Sequence, residues 1–469
     1  MSSQAVLDLN TVVDGQKIGR SAILLLVIAV AALASDGFDL AAMGYIAPEL
    51  IKQWKIEPAG LVPAFSSGII GLMAGNALLG LIGDKYGRKR MIIAGLCVFG
   101  IATLVTMAVR STADLVILRF LTGIGLGGVA PNVFALVAEV TPRRIRGRLL
   151  VIVSLGVLLG ISLSGIIAGA LVPQYGWRAV LLVGGVLPLL IAMVSLYFLP
   201  ESIKYLLVRA DRDAEVRRLA RRLRPDLVIG DSTRITFPAA SSPAQRGSFR
   251  RLFSNDFAIV TPLLWFCQAA IQMAIYFSLT WLPTLLQSTG SSIAEAGFSA
   301  SLFSTAGLVS SLVLLIIIDR LGVISLVVLF VVGTPLVAAM ALTGLSPVVH
   351  ALIIAGAGFC VMGVQVGLAA LLGIFYPTEI RSTGNGWTQA VGRLGALAAP
   401  LAGGVLLNMH IPIQSLVLAP AGFLAVGAVT CGTLAVICVR RFGGLHPGEF
   451  SISSPSTGAG LVAAPEAAG

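Results

Sequence analysis

Two carboxylates stand three residues apart in the stretch Ser35-Asp36-Gly37-Phe38-Asp39, inside an apolar run from about Ser21 to Pro48. A helix needs roughly 20 apolar residues to cross a bilayer, so this run is long enough to span one. The i,i+3 spacing puts Asp36 and Asp39 on one helix face. A charge at that depth costs at least about 2.5 kcal/mol on insertion scales, so the pair is expected to face a cavity or a partner. Two arginines, Arg119 and Arg393, also lie inside apolar runs. Guanidinium keeps its proton at every relevant pH and grips a carboxylate through two parallel hydrogen bonds. The aspartates, by contrast, can titrate. Burial favours their neutral form and a nearby arginine favours the charged one. An organic anion competing for the same arginine would free an aspartate to take up a proton, and the two binding events would favour each other reciprocally. The competing reading makes both arginines structural ion-pair members and leaves the aspartates satisfied by helix neighbours.

The elements that must hold such a set are membrane helices. Of 469 residues, 57% are hydrophobic and only 11% charged, with mean hydropathy +0.96. Soluble domains carry about 25% charged residues. The expected fold is an all-α polytopic membrane protein with twelve transmembrane helices in two six-helix bundles. Spans are predicted near 21–48, 59–82, 90–109, 113–137, 147–171 and 178–199, forming an N-terminal bundle over 21–199. Six more lie near 257–286, 295–318, 323–343, 348–375, 383–408 and 415–439, a C-terminal bundle over 257–439. Residues 1–20 read as a polar N-terminal segment, either interfacial or disordered, and 440–469 as a mobile tail rich in Gly, Ser, Pro and Ala.

Between the bundles, Pro200 to Asp256 holds twelve Lys/Arg against seven Asp/Glu, a net of +5, with a basic helix-like run from Asp211 to Arg224. Lys85, Arg88, Lys89, Arg90, Arg143, Arg144, Arg146, Arg148, Arg320, Arg381, Arg440 and Arg441 all fall on the side of this insert. Positive loops mark the cytoplasmic face, so both termini and the insert are expected there, in a cell (inner) membrane. That bias accounts for the +11 net charge without bound nucleic acid. The five cysteines fall within apolar runs without metal-ligand spacing, and the three histidines lie at span ends or in the tail. No metal, cofactor or nucleophile–base constellation is visible, which argues against an enzyme. Ala32-Leu33-Ala34 resembles a signal cleavage site, but the leader is poorly basic and the apolar run continues past Asp39.

The halves repeat weakly. Gly83-Asp84-Lys85-Tyr86-Gly87-Arg88 after span two is echoed by Asp319-Arg320-Leu321-Gly322 after span eight. Pro142 and Arg146 are echoed by Pro377 and Arg381. Duplicated six-helix halves are a transporter signature. Gly80-x-x-Gly83-Asp84-Lys85-x-Gly87-Arg88-Lys89 resembles the loop motif of the major facilitator superfamily almost position for position, and the resemblance covers roughly residues 20–440. Within that superfamily, Asp36-Gly37-Phe38-Asp39, Arg119 and Gly392-Arg393-Leu394-Gly395 most resemble the aromatic acid:proton symporter family. Pro200-Glu201-Ser202, and Arg119 with Gly123, are similar to the sugar porters, but no Pro-Glu-Thr-like sequence follows Arg441.

The resemblance implies proton-coupled uptake of an aromatic carboxylate, such as a hydroxybenzoate-like acid, by alternating access. Its alternatives are another organic anion, a sugar, or an exporter on the same fold. It implies proton coupling at Asp36 and Asp39, with protons as the coupling ion and no cofactor. Substrate-binding candidates are Arg119, Arg393, Phe38, Tyr276, Trp281, Gln365, Trp387 and Gln389. Conformational gating is expected of Gly83, Asp84, Gly87 and Arg88, with Glu139 and Arg146 beside them, Glu139 pairing with a local arginine. The expected partners are the small-molecule acid, protons and the lipid bilayer; the protein is expected to be a monomer.

Overall fold

The structure is a computed structural model that describes residues 6–16, 19–207, 213–224, 230, 234–236, 249–254, 257–288, 290–342, 344–376, 380–409 and 411–442. Backbone donors and acceptors find no partner in hydrocarbon, so long apolar runs close their hydrogen bonds internally as helices. The first half consists of α2 (Arg20–Trp54), α3 (Val62–Tyr86), α4 (Arg88–Thr106), α5 (Thr112–Val140), α6 (Arg143–Tyr175) and α7 (Arg178–Phe198), preceded by the short α1 (Leu9–Asp14). Two short helices, α8 (Ile203–Leu207) and α9 (Asp213–Leu223), lie in the insert. The second half consists of α10 (Phe257–Ser288), α11 (Ile293–Leu321), α12 (Val323–Ala339), α13 (Pro347–Phe375), α14 (Arg381–Asn408) and α15 (Leu418–Phe442). Eleven of the twelve long helices have the length and hydropathy to cross a bilayer; α12, with 17 residues, is the short one. Serines set several starts. Ser111 caps α5 through the Asp114 amide, and Ser292 forms a capping box with Glu295 at α11.

The duplication read from the sequence is visible in the packing. α2 lies on α6, α3 on α5 and α4 on α7, just as α10 lies on α14, α11 on α13 and α12 on α15. Both echoed turns place a glycine at positive φ, Gly87 at 105° and Gly322 at 52°. Arg146 donates to the Thr141 carbonyl at 3.1 Å, and Arg381 donates to the Tyr376 carbonyl at 3.0 Å, the same backward reach in each half.

The halves meet through α6 against α11, α2 against α10 and α3 against α14. The Ser162 hydroxyl bonds Thr305, Gly165 faces Gly297, and Val62 packs on Gly404. All these contacts lie in the portion of each helix farther from the insert, so the closure is at the far end.

The N-terminal segment corrects the expectation of an interfacial or disordered leader. β1 (Val6–Asp8) pairs in parallel with β2 (Arg234–Thr236) of the insert, in the register Leu7 to Ile235. Val12 and Val13 are buried with Val216 and Ala220 beneath the first half. Gln16 donates its amide to the Val140 carbonyl at 2.6 Å, and Asp14 accepts from the Arg143 backbone at 2.9 Å. Alternating apolar residues in a polar leader thus supply a small buried face. The expected mobile tail lies outside the described residues from 443 onward.

Candidate functional site

Gly37 lies directly on the backbone of Val157, where any Cβ would collide, so α2 and α6 come into close contact and the rotation of α2 is fixed. That rotation turns Asp39 toward α5. Arg119 grips Asp39 through two parallel hydrogen bonds, one of them Nη1 to Oδ1 at 3.2 Å, and both residues are buried. The pair forms one wall of a small cavity that also touches Leu40, Met43, Phe65, Tyr276 and Thr280. The cavity therefore draws on both halves.

The second arginine adjoins the cavity through Tyr276. Arg393 of α14 donates Nη1 to the Tyr276 hydroxyl of α10 at 2.9 Å. Asp36 is buried, its Oδ1 has no hydrogen-bond partner among the described residues, and it lies within reach of the Arg393 charge. Among the described residues no carboxylate is within ion-pair distance of Arg393. Of the four charges singled out from spacing alone, Asp39 and Arg119 line the cavity as a closed pair, and Asp36 and Arg393 adjoin it beside Tyr276 as an open one. A closed bidentate pair can be opened by a competing carboxylate; an open guanidinium can receive one directly.

The other expected site residues divide. Trp281 is buried against Phe65, ring centroids 5.9 Å apart, and its indole nitrogen has no partner among the described residues. Gln389 accepts from the Gln268 amide at 3.1 Å, and Gln365 of α13 has a buried oxygen with no partner among the described residues. Phe38 points elsewhere. Its ring packs on Gly184 of α7, inside the first bundle, because position 38 falls off the Asp36–Asp39 face. Trp387 is 45% exposed and stacks with Trp265 and Phe249, away from the cavity-lining residues. Sequence reasoning passed over Gln268, Gln272 and Thr280. With Tyr276 they recur every four residues on α10, a polar stripe on an apolar helix that a periodicity count would have found.

At the insert end, Gly87 needs its positive φ, and the Glu201 carboxylate occupies the space a side chain would take. Glu201 accepts from the backbone amides of Lys89 and Ser202, each at 3.0 Å. Arg88 pairs with Glu139 at 3.1 Å, and Ser202 donates its hydroxyl to Glu139. Gly83 sits under the Asn132 amide, which donates to the Leu79 and Gly128 carbonyls. Glu139 therefore has the arginine partner expected of it, while Arg146 serves its own turn. The side chain of Asp84 lies outside the described residues. Glu201 and Ser202 were legible only as a likeness to sugar porters, and here they tie the insert to the turn.

The sequence profile described as Major Facilitator Superfamily matches residues 24–400 and 264–449. The chain is 32% identical over 433 residues to a 4-hydroxybenzoate transporter, PcaK, of Pseudomonas putida, covering 92% of this chain and 96% of that one. It is 32% identical over 413 residues to a gallate transporter of the same species, covering 88% and 91%. Its fold matches an inward-open xylose transporter, XylE, of E. coli at a TM-score of 0.65, with 14% identity over 88% of this chain and 95% of that one. On the profile match, the length of these relationships and the duplicated twelve-helix fold, the chain belongs to the Major Facilitator Superfamily.

Proposed function

We propose that this chain imports an aromatic carboxylate together with protons by alternating access. The observation that carries the reading is the buried Asp39–Arg119 pair in the wall of an inter-half cavity, with Arg393 bonded to the lining Tyr276 and, among the described residues, no carboxylate within ion-pair distance of it. Supporting it, the relatives are named for 4-hydroxybenzoate and gallate, which share an aromatic ring and a carboxylate. In this account the substrate carboxylate docks on Arg393 and Tyr276. Its charge competes for the guanidinium groups, and the released aspartate takes up a proton. The neutralised load then lets the halves give up a closure at the insert end for the far-end one, which opens the site to the insert side; the Arg88–Glu139 and Glu201 contacts at the insert end belong to the first half alone. The insert and both termini face the cytoplasm, in line with the positive charge of the insert-side loops. The working unit is a monomer in the cell membrane.

The test is uptake of labelled 4-hydroxybenzoate and gallate into proteoliposomes under an imposed inward proton gradient. Accumulation above equilibrium that collapses with a protonophore is the expected result. Folded protein that moves neither acid sinks the substrate class, and transport indifferent to the gradient sinks the coupling.

A further inference from the structure

Below the Arg393–Tyr276 contact, toward the insert, lies an unassigned cluster of amides. Gln268, Gln272, Tyr276 and Thr280 share one face of α10, and Gln389 and Arg393 share one face of α14. Gln268 is 1% exposed and Gln272 7%. Gln268 Nε2 donates to Gln389 Oε1 at 3.1 Å, while Gln268 Oε1 is buried with no hydrogen-bond partner among the described residues. The close pass of Gly392 by the Gln268 and Gln272 side chains holds this rung between the helices. A buried carbonyl oxygen without a donor is costly, so it marks a place where a donor is expected to arrive. The opposed amides are used for one hydrogen bond only, which leaves one acceptor and one donor group available to a visitor whichever way each amide is turned.

The spacing identifies the visitor. From Arg393 to Gln389 is one helical turn, about 6 Å, and from Tyr276 to Gln268 two turns, about 12 Å. A benzene ring with a carboxylate at one end and a hydroxyl at the other has a length inside that interval. We infer that the Gln268–Gln389 rung reads the ring hydroxyl of the substrate: the phenol O–H donates to the Gln268 oxygen while the carboxylate rests on Arg393. This rests on the proposed aromatic-acid reading and adds to it a specificity, for hydroxylated over unsubstituted aromatic acids. A site built to bond a hydroxyl discriminates against analogues lacking it far better than an apolar pocket does.

The experiment measures dissociation constants of the full-length purified protein for 4-hydroxybenzoate, benzoate and 4-methylbenzoate, by titration calorimetry. The wild type is expected to bind 4-hydroxybenzoate about tenfold or more tighter than the other two, the effect of one satisfied buried acceptor. Gln268→Met, close in shape and without the amide, should bring the three acids to within about twofold of one another, by loss of 4-hydroxybenzoate affinity alone. Gln389→Met should shrink the preference in the same way, and it supplies the answer if Gln268→Met does not fold. An unchanged preference in the variants, or equal weakening for all three acids, overturns the inference in favour of a packing role. Equal binding of all three by the wild type overturns it while leaving the aromatic-acid reading intact. Binding of none of them overturns the parent reading as well.

Discussion

The cavity has two unlike walls. The first half contributes Asp39 and Arg119, locked in a bidentate pair, with Asp36 three residues before Asp39 on the same helix. The second half contributes Tyr276 and Thr280, with Arg393 bonded to Tyr276, and it carries the neutral amides Gln268, Gln272, Gln365 and Gln389, two of them with an oxygen that has no partner among the described residues. Groups that can titrate sit on one side, and groups that can only recognise sit on the other. In a duplicated fold this divergence separates two tasks. Coupling needs a group whose charge changes, whereas recognition needs groups whose charge and shape stay constant through the cycle. On the proposed function, damage to each wall should therefore produce a different kinetic symptom.

The largest effect is expected from Asp39→Asn. The variant cannot take up a proton at position 39, so gradient-driven accumulation should disappear in proteoliposomes, while exchange of internal for external substrate persists. Removing one member of a buried ion pair typically costs about 3–5 kcal/mol, because the other charge is left uncompensated, so thermal stability should fall too. Arg119→Gln in the same chain removes that stranded charge and should recover much of the lost stability without recovering accumulation. Undiminished uphill transport by Asp39→Asn would dissolve the contrast between the walls.

Arg393→Lys should give the opposite pattern. An ammonium is a point charge without the planar fork, so substrate affinity should drop about tenfold while the accumulation ratio at saturating substrate is kept. An unchanged dissociation constant rejects Arg393 as the carboxylate receptor. Loss of coupling with affinity intact would move it to the titrating side.

How much of this was legible beforehand follows from what spacing encodes. An acid or arginine inside an apolar run is conspicuous whatever surrounds it, so Asp36, Asp39, Arg119 and Arg393 stood out. Which acid meets which arginine depends on contacts 80 residues apart for Asp39 and Arg119, and no local pattern carries that. Aromatic residues were harder still. Phe38 lies between the two aspartates in sequence but faces α7, and Trp387 sits six residues before Arg393 yet faces outward. A glutamine is an ordinary residue in a sequence, and Gln268 becomes notable only once its oxygen is seen buried without a donor. The fold itself was more accessible. Long apolar runs become helices whatever the tertiary context, although α2 continues through Pro48 to Trp54, past its expected end.

The two echoed turns allow a smaller test of the divergence between halves. Gly87 and Gly322 both occupy positive φ, and an alanine there strains the backbone by about 1–3 kcal/mol. Among the described residues the first turn holds a carboxylate against its glycine: a Cβ on Gly87 would meet Glu201, which holds the Lys89 and Ser202 amides. Gly87→Ala should therefore lower the unfolding temperature of the detergent-purified protein more than Gly322→Ala does. It should also expose the Glu201 region to proteolysis. Equal shifts would mean that backbone strain alone matters and that the Glu201 contacts contribute little.

The smallest effect is expected at Trp387. On α14 it shares a face with Leu394, Leu401 and Val405, all exposed, and in a membrane helix an exposed aliphatic stripe faces lipid. Its ring partners are Phe249, in the turn that precedes α10, and Trp265, in the insert-end half of α10, where aromatic rings settle at the membrane–water boundary. Trp387→Leu keeps the apolar surface and removes only the ring, so affinity for 4-hydroxybenzoate should change less than about twofold, within the few tenths of a kcal/mol typical of surface substitutions. Trp281→Leu, made beside it, removes a buried ring packed on Phe65 in the cavity wall and should weaken binding clearly more. If Trp387→Leu were the more damaging of the two, the substrate path would have to run along the outer face of α14. The cavity between the halves would then be the wrong place to look for recognition.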